Sequence, residues 1–217
     1  MRSVFRVLPF VLFYALLSGP VANAADPSVA DKEAAYAQVL EQRSSDILAA
    51  LKLDDSDAAA RVKARIIAFY RSLNEWQSRH EERLRALRAI KTDAARAEIA
   101  TIDATRAPLR EAFIADLAEE LTPGQIVVVK DKLTYNAFHI IYDSYREMLP
   151  DITDEQKRRV RALLTEARDE AISGISASEK SRIFNRARGR INNYLSKEGY
   201  DLQKATQAWR ARQAEQN

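Results

Sequence analysis

Residues 62–76, Val62-Lys63-Ala64-Arg65-Ile66-Ile67-Ala68-Phe69-Tyr70-Arg71-Ser72-Leu73-Asn74-Glu75-Trp76, decide the fold class. Val62, Ile66, Phe69, Leu73 and Trp76 recur at steps of three and four. That spacing lays one apolar stripe along a helix of 3.6 residues per turn, and it does not fit the strict alternation of a half-buried strand. Leu84 and Leu87 extend the line, so the spacing predicts a helix over 57–90. Asp54-Asp55-Ser56-Asp57 in front of it supplies a polar turn and an N-cap.

Outward from this helix the same period continues. Tyr36, Val39, Leu40, Ile47 and Leu51 predict a buried stripe on a helix over 29–52. On the other side, Lys91-Thr92-Asp93 reads as a turn in which Thr92 or Asp93 caps a third helix running to about 120. Ile99, Ile102, Leu109, Phe113 and Leu117 make its apolar face. Pro108 must kink or divide that helix, because it has no amide proton and crowds the preceding turn. Two helices of about 30 residues each reach about 45 Å, and a short connection favours an antiparallel hairpin.

Three later helix starts carry capping-box patterns: Thr122-Pro123-Gly124-Gln125, Thr153-Asp154-Glu155-Gln156 and Ser176-Ala177-Ser178-Glu179. Gly174 and Gly199 are placed as C-terminal stops. Val160, Leu163, Leu164, Ala167 and Ala171 line the helix after Thr153, and Ile183, Phe184, Ala187, Ile191, Tyr194 and Leu195 line the next. Asp201 is expected to cap a final short helix bearing Trp209. Val127-Val128-Val129 is a β-like run without a partner strand and reads as buried helix. The expected fold is all-α, an antiparallel helical bundle with a long N-terminal helical hairpin.

The first two dozen residues read as an address. Arg2 and Arg6 precede an apolar run, Val7 to Leu17, then Ser18-Gly19-Pro20 and the small-x-small Ala22-Asn23-Ala24. Eleven apolar residues are too few for a membrane span, which needs about 20. The expectation is a signal peptide over 1–24, cleaved after Ala24, and one all-helical domain over 25–217 in the periplasm or outside the cell. Two of the 34 Lys and Arg leave with the signal, so 32 face 31 Asp and Glu and the net charge falls to +1. Charges of both signs are interspersed, without the one-signed basic face of a nucleic-acid binder. Absence of cysteine removes disulfides, thiol nucleophiles and thiolate metal sites.

The catalytic inventory is thin. His80 and His139 are the only histidines, and His139 shares a helix face with Asp143 four residues on. A helix-borne zinc site wants three protein ligands, and no third His or Cys motif accompanies this pair. A hydrolase built on His139 and Asp143 is therefore the third-ranked reading, behind a structural histidine. Glu119-Glu120 and Asp54-Asp55 are adjacent carboxylates rather than the facing pair of a glycosidase. Aromatic residues are denser: Tyr135, Phe138, Tyr142 and Tyr145 fall within one expected helix, followed by Tyr194, Tyr200 and Trp209. Phe138, Tyr142 and Tyr145 have core spacing, whereas Tyr135, Tyr200 and Trp209 lie near helix ends, where flat rings can meet sugar C–H faces. Asn136, Asn192 and Asn193 stand near them as amide partners for hydroxyls.

Three blocks carry a resemblance. Glu120-Leu121-Thr122-Pro123-Gly124-Gln125 leads through Lys132-Leu133-Thr134-Tyr135 and Tyr142 to the run Met148-Leu149-Pro150-Asp151-Ile152-Thr153-Asp154-Glu155-Gln156. Glu166-Ala167-Arg168-Asp169-Glu170-Ala171 follows. Arg190-Ile191-Asn192-Asn193-Tyr194-Leu195 and Gly199-Tyr200-Asp201-Leu202, with Lys204, Ala205 and Trp209, close the chain. From about Tyr36 to Arg210 the sequence resembles a family of secreted bacterial proteins of unknown activity that carries a sugar-binding label. Gly124 departs from the acidic residue often found there. The resemblance implies a role in glycan capture or use and supplies no catalytic residues.

Leu121-Thr122-x-x-Gln125 and Ile152-Thr153-x-x-Gln156 also resemble the Leu-Thr-x-x-Gln repeats of small periplasmic helical chaperones. The reading that results is a secreted carbohydrate-binding or carbohydrate-utilisation accessory protein without catalysis, metal or cofactor. Its candidate ligand residues are Tyr135, Asn136, His139, Asn192, Asn193, Tyr200 and Trp209. Its partner is an oligo- or polysaccharide, with no nucleic acid and no membrane span after signal cleavage. The alternative is an envelope chaperone or interaction protein that holds unfolded or envelope proteins.

Overall fold

The structure, a computed structural model, describes residues 28–215. The signal-peptide reading of 1–24 and its cleavage after Ala24 lie outside the described residues. The chain divides into two units, 1–36 and 37–217. In the first, Ser28 and Asp31 open the helix α1 (Val29–Leu51) reciprocally: the Asp31 amide donates to Ser28 Oγ at 3.1 Å, and the Ser28 amide donates to the Asp31 carboxylate at 3.0 Å. The rest of α1 and all later helices form the second unit. Among the described residues there are nine helices and no strand, so the protein is all-α.

The hairpin forms as the periodicity requires. Helix α2 (Ser56–Ala89) starts on Asp55, whose carboxylate accepts from the amides of Asp57 and Ala58. All seven stripe residues, Val62 to Leu87, are buried. The returning arm is two helices, α3 (Asp93–Ala104) and α4 (Ala107–Ala118), the former capped by Thr92. The arm breaks at Thr105-Arg106, just ahead of Pro108, which sits in the first turn of α4 where its missing amide needs no partner. Arg83 pairs with Glu98 near the tip at 2.6 Å, Trp76 Nε1 donates to Thr105 Oγ1 midway at 2.7 Å, and Arg61 pairs with Glu120 at the open end at 2.8 Å. These three contacts run in antiparallel register. Phe69 and Phe113 stack between them with ring centres 4.1 Å apart.

Two cores follow. The first joins α1, α2, α4 and α5 (Pro123–Leu133) through Leu51, Ile66, Phe69, Leu117 and Val129. The second joins α6 (Ala137–Met148), α7 (Asp154–Ala171) and α8 (Ala177–Lys197), with α9 (Leu202–Glu215) packed over it through Leu202 and Ala205. Helices α7 and α8 are antiparallel neighbours, with Arg190 on Glu166 at 2.8 Å and Arg186 on Glu170. Thr122 with Gln125 and Thr153 with Gln156 form complete capping boxes, and the Asp201 carboxylate accepts from the Lys204 amide at 2.9 Å. Gly199 ends α8 at φ 95°, a conformation that only glycine adopts without strain.

Several sequence expectations need correction. Val39 is 44% exposed and Tyr36 only half-buried; buried Ser44, its hydroxyl returned to the Glu41 carbonyl, takes the stripe position between Leu40 and Ile47. Of the valine run only Val129 is buried fully, while Val127 is 37% exposed, because one helix turn cannot point three consecutive residues at one core. Ile99, Ile102 and Leu109 are only half-buried; Ile99 borders an open cleft, and Leu109, on α4, packs at the edge of the first core. The third capping box is half-made: Ser176 accepts from the Glu179 amide, but the Glu179 carboxylate accepts from the Ile175 amide and faces Arg106. Gly174 is a close-approach position, since a Cβ there would lie 2.9 Å from Lys180 Cγ. Tyr135 stands outside the helix that carries Phe138, Tyr142 and Tyr145.

Candidate functional site

Between α5 and α6 the chain turns through Thr134, Tyr135 and Asn136. Tyr135 and Asn136 both adopt left-handed backbone, with φ of 57° and 56°. That conformation costs a non-glycine residue about 1–2 kcal/mol, so the surroundings must enforce it. The Asn136 amide donates to the Asp131 carbonyl at 2.8 Å and the Tyr135 amide to the Lys132 carbonyl at 3.2 Å. From α8, Lys180 donates to the Leu133 carbonyl at 2.6 Å and places its ammonium 5.5 Å from the Tyr135 ring centre. Burial pulls the Lys180 pKa down to about 8, with the Arg43 charge acting the same way. The Tyr135 ring covers this lysine while remaining 57% exposed.

Buried Asp131 organises the other side of the turn. It accepts from Arg168 Nη1 at 2.8 Å and lies 2.8 Å from His139 Nε2. Arg168 also stacks over Phe138 at 5.0 Å, and its buried Nε has no hydrogen-bond partner among the described residues, only Asp169 at 4.0 Å. The imidazole therefore turns back to Asp131, whereas Asp143 faces Arg146 at 3.4 Å. His139 and Asp143 share a face of α6 but are not paired, and the structural-histidine reading finds its neighbour in Asp131: an aspartate eight residues upstream, already fixed by an arginine, out-competes one on the same exposed face. His139 is 56% exposed at the side chain, so it is an oriented surface histidine.

At the far end of α6 a groove of about 260 Å³ opens between α6, α8 and α9. Ile140, Ser144 and Tyr145 form one wall, Arg188 and Asn192 the second, and Trp209 with Arg210 the third. The Tyr145 hydroxyl donates to Asn192 Oδ1 at 2.5 Å, which leaves the Asn192 amino group as a donor. Burial pushes the Tyr145 phenol pKa up, against the opposing charge of Arg188. Trp209 Nε1 donates to Glu147 at 3.1 Å, and Arg212 grips the Glu147 carbonyl at 2.8 Å, so the indole is fixed over the groove, half-buried.

The seven expected ligand residues thus separate. Tyr135, Asn136 and His139 meet at the start of α6, and Asn192 and Trp209 share the groove at its end. Both places lie on α6: Ile140, which lines the groove, directly follows His139, whose ring turns instead to Asp131. Tyr200 is elsewhere: its hydroxyl lies 2.8 Å from Gln156 Oε1 and 3.2 Å from the Asp151 carbonyl, which ties the end of α8 to the start of α7. Asn193 is exposed on α8 and lines neither place.

Sequence reasoning missed a third feature, at the break in the hairpin arm. Arg106, 7% exposed, bonds the Ser173 carbonyl at 3.0 Å, Asp103 at 2.8 Å and Glu179 at 2.7 Å, and its guanidinium stacks on Trp76 at 4.6 Å. It separates two clefts of about 400 and 560 Å³ that share Asp103, Glu179 and Arg182. Burial raises the Glu179 pKa, but hydrogen bonds from Arg106 and the Ile175 amide outweigh that and hold it below the usual carboxylate range. Buried Arg168 and Lys180 stand on otherwise apolar stripes, a signal visible in the sequence; nothing local marks Arg106. Among the described residues, no group of three His, Cys, Asp or Glu side chains is placed to hold a metal ion, and no helix is long and apolar enough to cross a membrane.

Residues 37–214 match the family described as proteins of unknown function, DUF3826, and the chain belongs to that family. A comparison with curated proteins finds no match.

Proposed function

We propose that this member of the DUF3826 family is a secreted, non-catalytic carbohydrate-binding protein whose ligand lies in the groove between α6, α8 and α9. The observation that carries the reading is Trp209, an indole tethered by Glu147 at 3.1 Å beside the Tyr145–Asn192 pair. An aromatic face with an amide and two guanidinium groups around it offers a pyranose what it needs: a flat surface for C–H bonds and directional partners for hydroxyls. Fixing those groups before binding cuts the entropy lost when the ligand orders them. A groove of about 260 Å³ is small for a ligand pocket and suits a short part of a glycan rather than a whole oligosaccharide.

Tyr135 supports the same reading as a second platform at the other end of α6, exposed and held rigid by its turn and by Lys180. Secretion rests on the Arg2-to-Ala24 pattern. The chaperone alternative draws on Leu121-Thr122-x-x-Gln125 and Ile152-Thr153-x-x-Gln156, and both Thr–Gln pairs are engaged as capping boxes. Binding of neutral oligosaccharides, lost in Trp209→Ala without loss of fold, is the experiment that tests the proposal; suppression of client aggregation with no glycan preference would favour the alternative.

A further inference from the structure

The cleft beneath the break in the hairpin arm holds an unbalanced set of charges. Five arginines and three carboxylates line its 400 Å³. All three carboxylates are matched: Asp103 and Glu179 by Arg106, and Glu170 by Arg186. Arg96 reaches out of the cleft to Asp93, a residue whose side chain is 98% exposed. Arg110 and Arg182 remain. The Arg110 side chain is only 26% exposed, yet among the described residues its ion-pair contact is Glu111 at 3.9 Å, on the solvent side and 73% exposed. Arg182 is exposed, lies near enough to Glu179 to lower its pKa, and forms no hydrogen bond to another described residue. Between these guanidiniums the cleft floor is apolar, built from Ile99, Ala100, Ala104, Ala107 and Ile183.

We propose that this cleft binds the carboxylate of a uronic acid within an oligosaccharide, a site separate from the α6–α8–α9 groove. The half-buried Arg110 guanidinium, without a close anion, is incomplete, because charge-assisted, forked hydrogen bonds to a carboxylate are the pairing its geometry favours, and exposed Arg182 lines the same cleft. The apolar floor gives the sugar ring a surface for its C–H face, which a bare inorganic anion would not use. Only the sugar part of this inference rests on the carbohydrate reading, and the charge imbalance stands independently of it.

The test is calorimetric titration of the purified full chain with trigalacturonate, with the same trimer reduced to neutral galactose units, and with sodium sulfate as competitor. Trigalacturonate is expected to bind at least about tenfold more tightly than the neutral trimer. Arg110→Gln and Arg182→Gln are each expected to erase most of that ratio, whereas the surface control Arg159→Gln leaves it unchanged. Arg110→Lys and Arg182→Lys keep charge without the fork and are expected to fall between, which reads the site even if a glutamine variant misfolds. Equal affinity for the two trimers, no binding of either, or a ratio untouched by the substitutions overturns the proposal. So does displacement of the trimer by an equal concentration of sulfate, which would make the cleft a general oxyanion site. Failure of neutral glycans to bind the groove would leave the trimer ratio and its arginine dependence readable, so the two proposals fail separately.

Discussion

Arg106 Nη2 lies 2.7 Å from Glu179 Oε1, and this pair fastens the break in the hairpin arm to the first turn of α8. Ser173, whose carbonyl Arg106 also grips at 3.0 Å, lies 67 positions further along the chain. The guanidinium lies on the Trp76 ring, so one side chain links α2, the α3–α4 break and the turn between α7 and α8. Its bond to the Ser173 carbonyl satisfies a group that the turn leaves without a helical partner.

Removing the arginine should therefore cost more than the pair contributes. Arg106→Met strands Glu179 beside a buried carbonyl, and loss of one partner of such a pair costs about 3–5 kcal/mol. Denaturant unfolding is expected to show that loss, and a value under about 1 kcal/mol would show that solvent replaces the arginine.

The same pair sets an acid limit. Glu179 is held below the usual carboxylate range, so the folded state binds its proton less readily than the unfolded chain does. Its contribution is then complete above the unfolded value of about 4.3 and fades as pH falls through the lower, folded value. Glu179→Gln should flatten the acid limb of stability below about pH 4.3 and lower stability at neutral pH. An unchanged acid limb would show that other carboxylates govern it.

Lys180 works in the opposite direction at high pH. Its folded pKa is lowered to about 8, so between about 8 and the unfolded value near 10.4 the unfolded chain holds the proton that the folded protein releases. Stability should rise across that window, by on the order of 3 kcal/mol before other groups titrate. Lys180→Met keeps most of the packing and removes the charge; thermal melts across pH 7–10 should then lose this rise. A slope identical to that of the unaltered protein would place the effect elsewhere.

The two complete capping boxes are expected to differ in weight. Thr122→Ala removes a cap at an exposed helix start and should cost about 1 kcal/mol. Gln156, by contrast, also accepts the Tyr200 hydroxyl at 2.8 Å and donates toward Glu198 at 3.3 Å. Gln156→Ala should therefore cost more than Gln125→Ala and loosen the end of α8, seen as faster amide exchange near Gly199. Equal costs would mean that Tyr200 re-pairs with the Asp151 carbonyl alone.

What could be read in the sequence follows the range of the forces involved. The α2 stripe, the Asp55 and Thr92 caps and the two Thr–Gln boxes depend on residues within a few positions, and all form as the spacing implies. Val39 and Val127 were misplaced because periodicity fixes a stripe but not its width; the packing partner decides which margin is covered. Asn192 and Trp209 were named as candidate ligand residues, but their common groove depends on the crossing of α6 and α9, which no local pattern encodes. Tyr135 could be placed near a helix end, yet its left-handed backbone depends on Lys180 and Asp131. Arg106 was illegible for the same reason, since its partners come from three separate elements.

We propose that the α6–α8–α9 groove binds sugar through Trp209. The most direct measurement is the thermal midpoint of the purified protein across a panel of neutral plant and microbial oligosaccharides, with Trp209→Ala alongside. A ligand that binds only the folded state stabilises it by about 2.7 kcal/mol at a hundredfold excess over its Kd. The expected result is a reproducible rise with one glycan class that disappears in Trp209→Ala while the unliganded variant still melts cooperatively. A flat response to every glycan, or a rise that survives the substitution, would contradict the claim.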